Sequence, residues 1–273
     1  MHQLRAFADF VRFPEPEIDL GLAAFAVAQV EHPELVPEHE VKRLDELTAR
    51  SGACGIGDAL HALHRLREFL FEEEDFRGNA EDYYDARNSC LNDVLDRKVG
   101  IPITLSVLMI EVGRRAGLRI AGLGLPGHFI VSANVGADRV LLDPFNAGAV
   151  LTPESAAELV SRATGRRVRL GEGHFTPATK RHIITRMLLN LKSIYCRASD
   201  WRKVLDVVER LLLVDGGTPG HLRDRGSVLV NLGELHRGAA DWERYLVRHP
   251  DASDAETVRQ QLRNVRRELA SLN

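Results

Sequence analysis

The run Pro102–Ile110, PITLSVLMI, carries no charged side chain on any face. A helix that is apolar all round needs cover on every side, so it belongs inside a domain. Gly100 breaks the chain before it. Pro102 suits a first helical turn, where its missing N–H would have gone unpaired anyway. The pattern therefore predicts a central helix over Pro102–Ala116, closed by Gly117. Three β-type runs follow, Leu118–Leu123, His128–Ala133 and Arg139–Asp143. The polar residues here sit at element ends: Thr104 in the first helical turn, His128 opening one strand, Asp143 closing the next. A histidine and an aspartate on adjacent strands can lie side by side, the carboxylate orienting the imidazole. The plain alternative is a buried, satisfied histidine and a turn aspartate before Pro144.

Residues 1–98 read as helices, among them Ile18–Val30, Pro37–Thr48 and Ile56–Phe71, with Asp58 as an N-cap. The acid run Glu72–Asp75 ends the last of these as a solvated face. The loop that follows, FRGNAEDYYDARNSC, is rich in side chains that bond to backbone. Asn88 or Ser89 is expected to cap a short helix, Cys90–Arg97. Because this loop leads directly into the central helix, Tyr83, Tyr84, Asp85, Asn88 and Asn92 are candidates to line the cleft beside His128; structural bonding within the loop is the plainer reading. Thr104 joins them from the helix, and Phe145 and Asn146 from the turn after Asp143. Thr152 and Pro153 then start another helix, and Arg167–Leu170 reads as one more short strand. GEGHFTPAT looks like a boundary. The expected domains are residues 1–175 and residues 176–273. The first of them divides into a helical region, residues 1–98, and a core, residues 99–175.

The tail is helical and repeats. Lys180–Arg197 pairs with Trp201–Val214, and His221–Leu232 with Arg237–Arg248. A unit of about 34 to 40 residues made of two antiparallel helices is the pattern of tetratricopeptide-like repeats. Asp251–Leu272 reads as a single capping helix, with Val258, Leu262, Val265 and Leu269 on one stripe. Such repeats offer a surface for a protein or peptide partner.

The formal net charge of −3 gives no electrostatic case for nucleic acid. The arginine clusters at Arg166, Arg167 and Arg169, and at Arg263, Arg266 and Arg267, read as solvated faces. Cys54, Cys90 and Cys196 form no CxxC pair, which argues against a disulfide framework and suits a reducing cytoplasm. No signal segment or membrane-length apolar run is present, so a cytoplasmic protein without membrane contact is expected. His61 and His64 lack further ligands in any recognisable pattern, and GLGLPG lacks the lysine of a phosphate loop. No metal or cofactor is therefore expected, and nothing in the sequence specifies an oligomeric state.

The order of a helix, a strand with histidine and a strand with aspartate resembles the transglutaminase-like (papain-related) superfamily. Its pattern is G-x-C at a helix start, a helix ending in glycine, His-aromatic, then Asp-Pro. Counted back from Gly117, the position matching the family's cysteine is Pro102, in Gly100-Ile101-Pro102. His128 in GHF matches its histidine, and Asp143 in LDPF its aspartate. More narrowly, NSCLNDVLDRKVGIPITLS, LPGHFIV and LDPFNAG, followed by RDRG and DWERYL, resemble the bacterial SirB-type family from about Val41 to Leu262. The resemblance implies an α+β fold: a mainly helical transglutaminase-like domain, with a small antiparallel sheet packed on a central helix, and then an all-α repeat tail. It also implies that His128 and Asp143 are remnants of a triad whose nucleophile is missing, since acyl transfer by this route needs a thiolate. Thr104 and Ser106 are expected to bond to helix backbone, and Cys90 to be a small buried hydrophobe. The expected function is a non-catalytic binding or regulatory protein. The alternative is a hydrolase or acyl-transfer enzyme using His128 and Asp143 with water or a substitute nucleophile.

Overall fold

The computed structural model describes residues 2–271. They form two compact units: Phe13–Met187, and a second in which the residues up to Arg12 join those from Leu188 onward. The first helix, α1 (His2–Val11), thus groups with the tail, and the two units meet within one helix. The cause is local: Phe7 is wholly buried, and the Arg210 guanidinium lies over its ring at 5.5 Å.

In the Phe13–Met187 unit, Asp19 caps α2 (Leu20–Ala28), accepting from the Leu22 N–H at 2.9 Å. α3 spans Pro37–Arg50, and Asp58 caps α4 (Ala59–Glu68) as the sequence predicts. The chain then widens into a π-turn, Phe69–Glu73, at the acid run. Those acids are paired: Glu72 with Arg67 at 2.8 Å, Glu73 with Arg65 at 2.6 Å and Glu74 with Lys98 at 2.7 Å. Two short strands unseen in the sequence, β1 (Arg77–Gly78) and β2 (Val99–Gly100), pair in parallel around α5 (Leu91–Arg97). Neither Asn88 nor Ser89 caps α5. Both lie in a 3₁₀ turn, Ala86–Ser89, and Cys90 takes the cap position, its side chain making no cap bond to the helix.

The central helix α6 spans Pro102–Arg115, and every residue from Pro102 to Gly113 is buried. It packs against α2, α3 and α5 and against the sheet. Its buried carboxylate, Glu111, is held by Arg114 at 3.1 Å and by Arg115 one turn on, so the charged end of an interior helix is neutralised locally. The sheet is antiparallel: β3 (Ile120–Leu125), β4 (His128–Val135), β5 (Asp138–Asp143) and β6 (Ala149–Leu151), in that order. β6 is too short and exposed for its pattern to announce a strand. α7 (Pro153–Thr164) follows, capped by Thr152, and its Ala156 and Val160 pack with Leu123, Ile130 and Leu141. Arg167–Leu170 is not a strand. The sheet ends at β6, and the segment runs beside α7, where the Val168 N–H bonds Ser161 Oγ at 3.0 Å.

α8 (Lys180–Arg197) crosses the boundary between the units. Beyond it come α9 (Trp201–Val214), α10 (Pro219–Asn231), α11 (Leu235–Arg248) and α12 (Ala255–Ser271). The predicted end of the last helix, Leu272, lies outside the described residues. Its start is later than Asp251: Asp254 precedes the first turn, its carbonyl accepting from the Val258 N–H, while its side chain bonds Arg223 and Tyr245. RDRG and DWERYL lock α10 to α11. A Cβ on Gly226 would stand 2.6 Å from the Trp242 ring, and one on Gly238 would stand 2.8 Å from the Gly226 carbonyl. Only bare backbone permits that approach. Trp242 Nε1 donates to Arg223 O at 3.1 Å, and Arg225 grips Asp241 through two bonds of 2.7 and 2.9 Å.

Candidate functional site

Pro126 and Gly127, the latter at φ +69°, turn the chain between β3 and β4, so that Leu125 pairs with His128. The β4–β5 register sets Val131 against Leu142, which leaves Asp143 one diagonal step from His128. The side chains meet: His128 Nε2 and Asp143 Oδ1 are 3.0 Å apart, with the residues 6% and 1% exposed. Asp143 is held from two further sides. The Phe145 N–H donates to Oδ1 at 3.1 Å and Asn146 Nδ2 to Oδ2 at 2.6 Å. With Asp143 as the acceptor, Nε2 carries the ring hydrogen and Nδ1 the lone pair. Nδ1 takes no hydrogen bond from the described residues. The pair is thus an oriented imidazole with a lone pair still to use.

Pro102 occupies the first position of α6 and is buried. The hydroxyls further along that helix are committed. Thr104 Oγ1 donates to Asn88 O at 2.6 Å and accepts from the Ile101 N–H at 3.2 Å, while Ser106 Oγ lies 3.5 Å from Phe129 O. Cys90 is buried, its Sγ 3.5 Å from Ala86 O.

Phe145 and Asn146 therefore stand at the His128–Asp143 pair, but the other candidates divide. A file of rings leads outward: His128 to Phe145 at 6.0 Å, Phe145 to Tyr83 at 6.3 Å and Tyr83 to Tyr84 at 5.4 Å, each edge-on. Tyr84, at its outer end, is 51% exposed. Asn88 and Asp85 bond within the loop. Asn88 is wholly buried; its Nδ2 donates to Asp82 O at 2.7 Å and its Oδ1 accepts from Asn79 Nδ2 at 3.2 Å. Asp85 caps the 3₁₀ turn and pairs with Arg87 and Arg97. Burial would raise its carboxyl, but the Arg87 bonds and the two guanidinium charges prevail and hold it low. Asn92 is buried on α5 with Oδ1 unpartnered.

Sequence reasoning missed Gly78 and Arg186. A Cβ on Gly78 would stand 2.6 Å from both the ring and the carbonyl of Phe145, so β1 can pass only as bare backbone. Arg186 donates to Leu125 O at 3.2 Å and His128 O at 3.1 Å and lies over the Phe129 ring at 5.1 Å, clamping the hairpin that presents His128. Burial lowers its pKa, partly offset by Tyr83, and burial raises that of Tyr83. No local pattern marks Arg186, because its partners are backbone carbonyls of a distant hairpin.

A helix buried against an antiparallel sheet that presents a His–Asp pair, followed by paired helices, defines a transglutaminase-like core with a tetratricopeptide tail. Family models agree. One described as transglutaminase-like superfamily matches residues 38–189, and one described as tetratricopeptide repeat matches 191–263. A UPF0162 protein of Xylella fastidiosa (strain 9a5c) is 36% identical over 197 residues, 71% of this chain and 70% of that protein. One from Vibrio cholerae is 30% identical over 203 residues, 72% of this chain and 74% of that protein. F-box only protein 21 of Mus musculus is 36% identical over 84 residues, 31% of this chain and 13% of that protein. The chain belongs to the SirB-type, UPF0162 family of the transglutaminase-like superfamily. Tetratricopeptide repeats generally mediate protein–protein contact, so the architecture is that of an interaction module. Among the described residues no helix is long and apolar enough to cross a membrane.

Proposed function

We propose that this chain is a non-catalytic, regulatory member of its superfamily. In this reading the cleft at His128 and Asp143 binds a ligand, and the helical repeats hold a protein or peptide partner in the cytoplasm. The observation that carries the reading is Pro102 at the first position of α6, where the superfamily pattern has its cysteine. A proline ring has no group that attacks a carbonyl, and the nearby hydroxyls of Thr104 and Ser106 are bonded to backbone. The ligand enters past Tyr83, Tyr84 and Phe145, and Asn146 holds Asp143 for it. A second reading is a hydrolase that activates water, and the unspent Nδ1 of His128 favours it.

Amide and thioester turnover by the wild type and by His128→Ala separates the two. Binding without chemistry predicts no turnover by either protein. Turnover by the wild type that His128→Ala abolishes while keeping its melting temperature overturns the proposal in favour of the hydrolase. Pro102→Cys is expected to gain a labelling site for thiol reagents at residue 102, read by peptide mass spectrometry against the exposed Cys54.

A further inference from the structure

We infer that His32, Cys90 and Asp93 form a binding site for a divalent cation of the borderline-soft class that zinc represents. One donor atom from each, the imidazole nitrogen, the thiol sulfur and a carboxylate oxygen, all lie within 4.8 Å of one another. His32 comes from the turn after α2. Cys90 and Asp93 come from the start of α5, where a spacing of three puts them on one face. The donor set selects the metal. One sulfur, one nitrogen and one oxygen suit zinc and its neighbours, while magnesium and calcium need a shell of oxygens. Three protein ligands leave the fourth tetrahedral position to solvent.

The surroundings fit an ion. His32 and Asp93 side chains are 28% and 13% exposed, which gives a way in, while Cys90 is buried behind them. Glu34 Oε1 lies 4.0 Å from His32 Nδ1, on the far side of the ring from Nε2, and adds negative charge beside the site. His32 Nε2 and Asp93 Oδ2 stand 2.7 Å apart. Metal bonds of about 2.0–2.3 Å would part them to about 3.3 Å and draw the sulfur in. A second observation points the same way. Among the described residues, the buried side-chain oxygens without a hydrogen-bond partner are Gln29 Oε1, Ser89 Oγ and Asn92 Oδ1, all on the segments that supply the three donors. Unpartnered buried oxygens of this kind are commonly met by ordered water, which could complete the shell of a bound ion. Binding releases the Cys90 proton to water, so thiolate and carboxylate neutralise the ion's two charges.

The test is cobalt titration of the full chain after chelator treatment. The wild type is expected to develop a near-ultraviolet sulfur-to-cobalt charge-transfer band and the intense visible bands of tetrahedral cobalt, saturating at one ion per chain, bleached by zinc and untouched by magnesium. Cys90→Ser should lose the charge-transfer band, and His32→Gln and Asp93→Asn should weaken binding. No band in the wild type, or a band that survives Cys90→Ser, overturns the assignment. Should Cys90→Ser fail to fold, His32→Gln at its part-exposed position decides. The wild type should melt higher with zinc, and this variant should melt the same with or without it. An undiminished rise in His32→Gln sinks the site.

Discussion

In the repeat unit Arg225 meets Asp241 through bonds of 2.7 and 2.9 Å, and in the core unit His128 meets Asp143 at 3.0 Å. In both pairs the aspartate is buried and the partner sits on the preceding element, 15 or 16 residues back. The Arg225 pair closes on itself. A guanidinium fork spends two donors on both oxygens of one carboxylate, and the product is a fixed crossing of α10 and α11. The His128 pair remains open, because orientation uses only one ring nitrogen. Signature pairs that each bury an aspartate can therefore differ: one is fully spent on architecture, and the other keeps a bonding position in reserve. What separates them is the bonding capacity left over.

Breaking the closed pair should have the largest effect. Asp241→Ala leaves Arg225 without its carboxylate and should lower stability by about 2–3 kcal/mol, read by urea unfolding, the lower end reflecting the partial exposure of Arg225. A loss under a few tenths would mean that the pair is ornamental and the contrast with His128 unfounded. Gly78→Ala tests the open pair through its support. The new methyl strikes Phe145, and overpacking should cost about 1–3 kcal/mol, with altered NMR shifts of the His128 ring next to Phe145. Unchanged ring shifts would detach Phe145 from the site. The smallest effect is a pH dependence in the repeat unit. Burial lowers the pKa of His221 below its ordinary 6.5, and Asp215 at 3.7 Å is too far to hydrogen-bond it. The unfolded chain thus takes up the proton first. Stability is full above the unfolded value and is lost as pH falls through the lower, folded one. His221→Asn should flatten the thermal-stability profile between about pH 7 and pH 5.

Much of this was legible in residue order. The unbroken apolar run Pro102–Ile110 marked an interior helix, and the alternation around His128 and Asp143 marked adjacent strands, because period and polarity are local properties. The repeat tail announced itself through its period. What escaped depends on partners far along the chain. β1 and β2 are stubs on either side of α5, α1 belongs with helices from the other end of the sequence, and Arg186 acts on carbonyls that any sequence would supply. Asn88 shows the limit most clearly. Its type allows backbone bonding, a helix cap or a ligand contact alike, and only its burial and its bonds to Asn79, Asp82, Arg97 and Thr104 show it as a structural bolt.

That bolt has a mechanical meaning. The Asn88 side chain ties down the carbonyl of Asp82, while its own carbonyl receives the hydroxyl proton of Thr104 in the first turn of α6. Tyr83 and Tyr84 sit inside this span. Their backbone is thus pinned at Asp82 and at Asn88, and Asn88 is the shared anchor of the loop and of the first turn of α6. Local opening at Asn88 would therefore release the tyrosine loop and the first turn of the central helix together.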